Sequence, residues 1–140
     1  MTTEQFVIAL KGRGLKATAQ RLAVHEAMSS LVHASADEVA NYISEHSRVS
    51  ISTASVYNIL SQMAELGIYA TRFSPDNKMH FDVVGGKHIH LYDAKSGDFI
   101  DIVDDELLAL VENHVRHKRY KGYKVENFDI QIVCRPRKQQ

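Results

Sequence analysis

Two histidines that alternate along a short apolar run are the first residues whose type and spacing suggest chemistry. His88 and His90 lie in the segment KHIHLYD, and Asp101 lies in FIDI, beyond a turn that contains Gly97. Alternate residues of a strand point to the same side, and a hairpin brings its two strands together. We therefore expect both imidazoles and the Asp101 carboxylate on one small surface. On these residues alone, that surface is either a solvated polar face or part of a metal site.

Two further residues could complete such a site. His33 precedes the third predicted helix, and Asp82 ends a predicted strand. Three imidazoles and two carboxylates suit a borderline first-row divalent ion such as iron, manganese or zinc. A single histidine is more often a core or surface residue than a ligand, so four others receive no metal role here: His25, His46, His114 and His117.

The first seventy residues predict helices. Thr18 and Ser35 are typical N-cap residues, and Glu38 follows Ser35 at the spacing of a capping box. A fourth helix is expected to begin at 50–53 and to end at Gly67. Two alternating segments, 68–73 and 79–84, follow with the turn sequence SPDNK between them. Helices followed by such a strand pair predict a winged helix.

The fourth predicted helix has polar side chains in its N-terminal half, which is the end that a recognition helix places in the major groove. Short donors and acceptors there suit phosphates and base edges, and basic residues near the N-terminus suit phosphates or a minor groove. An ordinary amphipathic helix with a solvated end is the alternative for each residue taken alone. The candidate DNA-binding residues are Lys16, Arg21, Ser52, Thr53, Ser55, Tyr57 and Asn58.

The second half of the chain predicts a smaller mixed unit. Strands are expected at 88–92, 98–103 and 123–134, with one helix capped by Asp104. So few strands leave an open edge and a small core, which predicts pairing with a second copy. The expected fold is α+β, with a winged helix-turn-helix domain at 1–84, a hinge at 85–86 and a small α/β dimerisation and metal-sensing domain at 87–140.

Composition narrows the class of protein. The chain has 140 residues, 44% of them hydrophobic, and its formal net charge is zero. This balance does not favour a large nonspecific polyanion binder, although it leaves room for a local basic patch. The single cysteine, Cys134, allows neither an internal disulfide nor a cysteine-rich zinc site. The sequence has no apolar run of signal-peptide or membrane-span length, so we expect a cytoplasmic protein without a membrane partner.

Several motifs together resemble the ferric uptake regulator (Fur) family, and most closely its peroxide-sensing branch, PerR. They follow the order and spacing of that family over nearly the whole chain: GLKATAQR, HASADEV, SISTASVYNILSQMAELGI, HFDVV, KHIH and GDFIDI. The resemblance implies a homodimeric repressor whose N-terminal domain binds operator DNA and whose C-terminal domain dimerises. It places the ligands of a regulatory metal between the domains, at His33, Asp82, His88, His90 and Asp101.

The same resemblance implies a mechanism. Peroxide-sensing members carry Asp where uptake regulators tend to carry Glu, and this chain has Asp101. With ferrous iron bound, His33 and His88 are the ligands expected to be oxidised, after which metal binding and repression are lost. The oxidation consumes the sensor, so a regulator and not an enzyme is expected. The resemblance also directs Lys16 to the minor groove and both Tyr57 and Asn58 to the major groove.

Departures from the family pattern reduce the expected number of metal sites. Where many members carry two Cys-x-x-Cys pairs for a structural zinc, this chain has Asp93, Ser96, Cys134 and Arg137. A four-cysteine zinc site is therefore expected to be absent. Lys87 and Ile89 replace the ligands of a further site. One divalent ion per chain remains, Fe²⁺ or Mn²⁺, with Zn²⁺ as a third candidate.

Four alternatives stay open. The first is an iron- or manganese-responsive uptake regulator that does not sense peroxide. The second is a haem-responsive regulator, which the lack of a Cys-Pro pair disfavours. The third is a metal-dependent hydrolase, which needs a general base beside an open coordination position. The fourth is a regulator with a vestigial ligand set and a fixed shape, whose DNA binding would not respond to metal.

Overall fold

The computed structural model describes residues 1–83, 89–125 and 128–138. The chain divides into two compact units, Met1–Gly85 and Gly86–Gln140. The predicted hinge at Gly85 and Gly86 and the candidate ligand His88 lie outside the described residues. Within the described ranges, no helix combines the length and apolar character needed to cross a membrane.

Four helices form most of the first unit: α1 (Thr3–Gly12), α2 (Ala19–Leu31), α3 (Ala36–His46) and α4 (Thr53–Glu65). Each begins after a Thr or Ser whose hydroxyl accepts a backbone N–H of the first turn. The caps predicted at Thr18 and Ser35 are confirmed, including the capping box of Ser35 with Glu38. Ser52 caps α4, within the start predicted for it.

The apolar faces of the four helices share one core. Apolar residues three and four positions apart lie on the same face of each helix, and that face packs against the core. Burying each large apolar side chain stabilises the fold by about 1.5–3 kcal/mol. The largest buried apolar side chains of this core are Phe6, Leu10, Met28, Ile43, Leu60, Met63 and Phe81.

A small antiparallel sheet completes the first unit. Its strands are β1 (His33–Ala34), β2 (Ala70–Phe73) and β3 (Met79–Asp82), in the order β1-β3-β2. The hairpin β2–β3 confirms the predicted strand pair and turns through Asn77, whose φ is +66°. The sequence did not predict β1, because two residues are too short to show an alternating pattern.

The second unit contains β4 (Ile89–Asp93), β5 (Phe99–Ile102), α5 (Asp105–His117) and β6 (Ile130–Cys134). Its sheet has the order β5-β4-β6, with β4 and β5 antiparallel and β4 and β6 parallel. Asp104 caps α5 as predicted, through its carboxylate and the Leu107 N–H.

The strand predicted over 123–134 was wrong in its extent, because Ile130–Cys134 is the only part of that range, among its described residues, that forms a strand. Tyr123 instead makes an isolated bridge to Tyr120 and donates its N–H to the Tyr120 carbonyl, 2.9 Å away. Gly122 has a φ of +83° in that tight turn. The backbone at Tyr123 is thus engaged locally instead of in the sheet. The α+β fold itself, a winged helix-turn-helix followed by a small α/β domain, is as expected.

Candidate metal-binding and DNA-binding residues

The first candidate metal pair lies on two adjacent strands of the first unit. His33 on β1 is directly opposite Asp82 on β3. The His33 Nδ1 and Asp82 Oδ2 atoms are 3.3 Å apart, and the two side chains are 8% and 2% exposed. Water therefore reaches neither group easily, and their interaction is stronger than that of a surface pair.

Local structure fixes His33 from both sides. Val32, just before it, ends α2 with a φ of +66°, and its carbonyl accepts the Val83 N–H beyond Asp82. Ser35, just after Ala34, caps α3 and is buried. The end of α2, the strand β1 and the start of α3 thus follow one another within four residues, and this fixes the position of the His33 backbone.

The second candidate pair lies in the second unit. His90 on β4 is directly opposite Asp101 on β5, as the predicted hairpin requires. The His90 Nε2 and Asp101 Oδ1 atoms are 3.1 Å apart, with side chains 2% and 34% exposed. The Phe99 ring is nearly perpendicular to the imidazole, at a centroid distance of 6.2 Å. An apolar wall on one side and a carboxylate on the other hold this imidazole in place.

Each unit thus presents an imidazole nitrogen and a carboxylate oxygen on neighbouring strands. This nitrogen and oxygen donor set fits a first-row divalent ion and contains no thiolate. The placement of His33, Asp82, His90 and Asp101 within their own units is therefore compatible with metal binding.

Sequence reasoning missed two charged side chains beside these pairs. Arg72 on β2 is buried, and its Nη2 lies 3.3 Å from the same Oδ2 of Asp82 that faces His33. Asp129, just before β6, places Oδ1 3.5 Å from Nδ1 of His90. Arg72 lies in the alternating segment 68–73, so a charged residue in that predicted strand could have been recognised from the sequence. Asp129 gave none, because the parallel pairing of β6 with β4 that brings it close was not predicted.

Two other histidines of the first unit are buried, and burial lowers the pKa of each below the ordinary 6.5. His80 lies opposite Arg72 in the β2–β3 ladder. His25 lies in the core, where its Nε2 is 3.0 Å from the Met1 carbonyl and its Nδ1 is 2.8 Å from the Tyr69 hydroxyl. Because a carbonyl only accepts, Nε2 carries the proton, and Nδ1 accepts from Tyr69. His25 is thus a core residue, which is one of the two roles, core or surface, that the sequence left open for it.

A hydrogen-bonded turn contains Asp93 and Ser96, the first pair of positions for which no zinc-binding cysteines were expected from the sequence. The Asp93 carboxylate accepts the N–H groups of Lys95 and Ser96, at 2.8 and 3.2 Å, and these bonds lower the pKa of Asp93. Asp93 lies beside Cys134 in the β4–β6 ladder. With one cysteine in the chain, a four-cysteine site cannot form here.

The candidate DNA-binding residues of α4 occupy its start. Ser52 accepts the Ser55 N–H at 3.1 Å and donates to the Ser55 hydroxyl at 3.0 Å. Thr53, Tyr57 and Asn58 are exposed, and the Tyr57 ring is nearly perpendicular to the Phe81 ring. The N-terminal half of α4 therefore presents hydroxyl, phenol and amide groups to solvent.

The two basic candidates lie near the start of α2. Arg21 donates to the Lys16 carbonyl at 2.9 Å and to the Gln62 side chain at 3.2 Å. These bonds tie the segment before α2 to α4 and leave the Lys16 side chain exposed. Arg21 thus helps to fix the backbone position of Lys16.

Known proteins resemble this chain over most of its length. The peroxide-responsive repressor PerR of Staphylococcus epidermidis is 28% identical over 135 residues, which cover 94% of this chain and 89% of that protein. The peroxide stress regulator of Campylobacter jejuni has a TM-score of 0.68 and 27% identity, with 100% of both chains covered. The ferric uptake regulator of Vibrio cholerae has a TM-score of 0.79 at 24% identity, with 93% of this chain and 98% of that chain covered, and shares the fold.

The sequence model of the ferric uptake regulator family matches residues 12–133. That range spans α2 through β6 except for the last residue of the final strand, and so includes both units, both candidate metal pairs and the whole of α4. The chain therefore belongs to the ferric uptake regulator family of metal-responsive transcriptional regulators.

Proposed function

We propose that this regulator is a peroxide-sensing repressor that holds one divalent ion per chain. The observation that carries the proposal is the matched cross-strand pairing of imidazole and carboxylate in each unit, at 3.3 Å and 3.1 Å. His33, Asp82, His90 and Asp101 contribute these groups. His88 joins them by resemblance alone, since it lies outside the described residues.

The proposed ligands come from both units, and this supports a regulatory role. An ion bound by His33 and Asp82 on one unit and by His90 and Asp101 on the other would restrict the hinge proposed at 85–86. Ligand binding to one conformation shifts the population toward it. A differential affinity of about 3 kcal/mol is enough to change DNA affinity more than a hundredfold.

Peroxide sensing is the finer part of the proposal. Ferrous iron held by these residues would supply the redox chemistry that cleaves peroxide. The imidazoles of His33 and, by resemblance, His88 would be the groups oxidised: one peroxide oxygen would be inserted at a ring C–H, and the other would leave as water. An oxidised imidazole is a poorer ligand, so the restraint on the hinge is lost. Asp101 and the similarity to a peroxide-responsive repressor support this assignment.

The proposed target is duplex operator DNA, bound by a homodimer in the cytoplasm. The exposed Tyr57 and Asn58 of α4 would meet base edges, with Ser52, Thr53 and Ser55 at the phosphates. Lys16 is positioned by Arg21 and would enter the adjoining minor groove. The domain boundaries proposed for this arrangement are 1–84 for the DNA-binding domain and 87–140 for the dimerisation domain.

Anaerobic loading with ferrous iron, followed by one equivalent of peroxide, tests the proposal. Operator affinity and intact mass are measured before and after the addition. We expect affinity to fall at least a hundredfold, with a gain of one oxygen that peptide mapping assigns to His33 or His88.

Protein loaded with Mn²⁺ is the matched control and should keep both its mass and its affinity. If iron supports operator binding and peroxide changes neither quantity, the chain is an iron- or manganese-responsive uptake regulator instead. If no metal alters operator binding, the metal-dependent part of the proposal is wrong.

A further inference from the structure

Positive charge is concentrated in the second unit, in the last turn of α5 and the segment that follows it. Five basic side chains occur within residues 116–124, although the whole chain carries no net charge. They line one groove, in which Glu112 is the only acid among the described lining residues, and it lies 3.6 Å from Arg116. Like charges this close repel each other, so the segment is suited to an anion. The five are Arg116, Lys118, Arg119, Lys121 and Lys124.

Two tyrosines stand among these charges in a defined turn. The bridge between Tyr120 and Tyr123 is antiparallel, and residues paired in this way place their side chains on the same side of the backbone. The two side chains are 43% and 83% exposed, so neither is used to build the core. Gly122, with its φ of +83°, allows the tight turn that pairs them.

The groove has a ligand-sized volume of about 590 Å³. Small-molecule sites typically enclose about 300–1,000 Å³. Apolar side chains of Val115, Val125 and Phe128 also line it. The groove thus combines apolar surface, two aromatic rings and a surplus of cations in one unit, on residues separate from α4 and from the proposed metal ligands.

We propose that this groove binds a nucleotide unit, with the base stacked on Tyr120 or Tyr123 and the phosphates held by the neighbouring lysines and arginines. Exposed aromatic rings within a basic groove are the combination that single-stranded nucleic acids use, because every base has a stacking face. An anion without a base would leave the rings unused. The same chemistry can come from a free nucleoside phosphate or from a nucleotide of a single strand.

Equilibrium binding to the full-length protein with three probes tests this proposal: ATP, inorganic triphosphate and a fluorescent eight-nucleotide single strand. We expect saturable binding of ATP, at least about tenfold tighter than triphosphate, because stacking of one base contributes about that factor. Tyr120→Leu with Tyr123→Leu should remove the preference for ATP. A strand that binds much more tightly than ATP identifies nucleic acid as the source, whereas equal affinities identify the free nucleotide, and both support the site.

Matched variants separate this groove from the operator-binding surface and from the proposed function. Tyr57→Leu should weaken operator binding and leave ATP binding intact, whereas the double tyrosine variant should do the reverse. Lys118→Gln with Lys121→Gln, both exposed, should reduce the salt dependence of strand binding by about 0.7 per lost phosphate contact. These measurements need no iron, so they succeed or fail independently of peroxide sensing.

Three results would overturn the proposal. One is the absence of saturable binding of ATP or of the strand up to about 1 mM. Another is equal affinity for ATP and triphosphate. The third is a change of oligomeric state in the tyrosine variant, because the groove would then belong to a subunit contact.

Discussion

Arg72 places a fixed positive charge beside a carboxylate that we propose as a metal ligand. Its Nη2 is 3.3 Å from Asp82 Oδ2, with side chains 7% and 2% exposed. A dication bound to Asp82 would lie close to the guanidinium, and the two positive charges repel each other. Arg72→Gln should therefore tighten binding of Mn²⁺ by about tenfold or more. Without metal, the variant should lose about 3 kcal/mol of unfolding free energy, because it leaves a buried carboxylate poorly compensated.

Titration with Mn²⁺ measures the change in metal affinity. Urea denaturation without metal measures the change in the free energy of unfolding. Arg48→Gln, an exposed arginine of the same unit, is the control and should change neither quantity. Weaker binding of Mn²⁺ by Arg72→Gln would show the opposite role, in which the guanidinium orients Asp82 for the ion. Unchanged stability in the absence of metal would show that the pair contributes nothing to the fold.

Asp129 offers a second test at the scale of single residues. It lies 3.5 Å from Nδ1 of His90, whereas Nε2 of the same ring faces Asp101. A metal-binding histidine commonly donates its other ring N–H to a carboxylate, and loss of that partner costs about 10–100-fold in affinity. Asp129→Asn should thus weaken Mn²⁺ binding by about tenfold, as followed by titration. Asp98→Asn, at an exposed residue of the same unit, should leave Mn²⁺ affinity unchanged. If both variants weaken Mn²⁺ binding equally, the effect of Asp129 is only that of one lost negative charge.

Among the secondary-structure elements, helices α1 and α2 share a ring contact that involves a buried histidine. The Phe6 ring of α1 stacks on the His25 ring of α2 at a centroid distance of 4.2 Å. Burial lowers the pKa of His25 below 6.5, the value of the ordinary side chain. Above pH 6.5 the ring is neutral in both the folded and the unfolded chain. Between 6.5 and the lower folded value, only the unfolded chain binds the proton, so stability falls as the pH falls.

The measurement for this contact is the free energy of unfolding at pH 7.5 and at pH 5.5. It should drop by up to about 1.4 kcal/mol per pH unit from His25 alone. His80, whose pKa is also lowered, acts in the same direction, so the test is the difference between the parent and His25→Gln. That variant should be less stable at pH 7.5 and less sensitive to pH, whereas exposed His114→Gln should match the parent. An unchanged pH dependence in His25→Gln would contradict the assignment.

The elements also show which parts of this structure the sequence could predict. Thr18, Ser35 and Asp104 were predicted as caps because a cap depends on residues three or four apart. The hairpin that pairs His90 with Asp101 was predicted for the same reason, since its turn is short. The two-residue strand β1 and the parallel pairing of β6 depend on contacts distant in sequence. Those pairings bring in Asp129 and align His33 with Asp82, which local patterns do not reveal.

At the scale of the whole molecule, the two units differ in how much apolar surface they bury. The first has a continuous core drawn from all four helices and the sheet. In the second, the buried apolar side chains among the described residues are Ile89, Tyr92 and Phe99, and α5 contributes none. Large apolar side chains remain exposed on its sheet and helix, such as Ile100 at 51% and Leu110 at 64%. A unit with so small a core gains stability by association, which supports the proposed homodimer.

These exposed side chains are candidates for the subunit contact. Val103 is 89% exposed and Leu110 64% exposed, so a lone chain would tolerate Asp at either position with little loss of stability. In a homodimer packed through this surface, Val103→Asp with Leu110→Asp buries two unpaired charges and should dissociate it at micromolar concentrations. Light scattering and sedimentation measure the mass, and operator affinity should fall because the two recognition helices are no longer joined. Ile8→Asp, on a 70% exposed side chain of α1, is the matched control and should leave the mass unchanged. A Val103→Asp, Leu110→Asp protein that keeps its dimeric mass would show that the subunits associate through another surface.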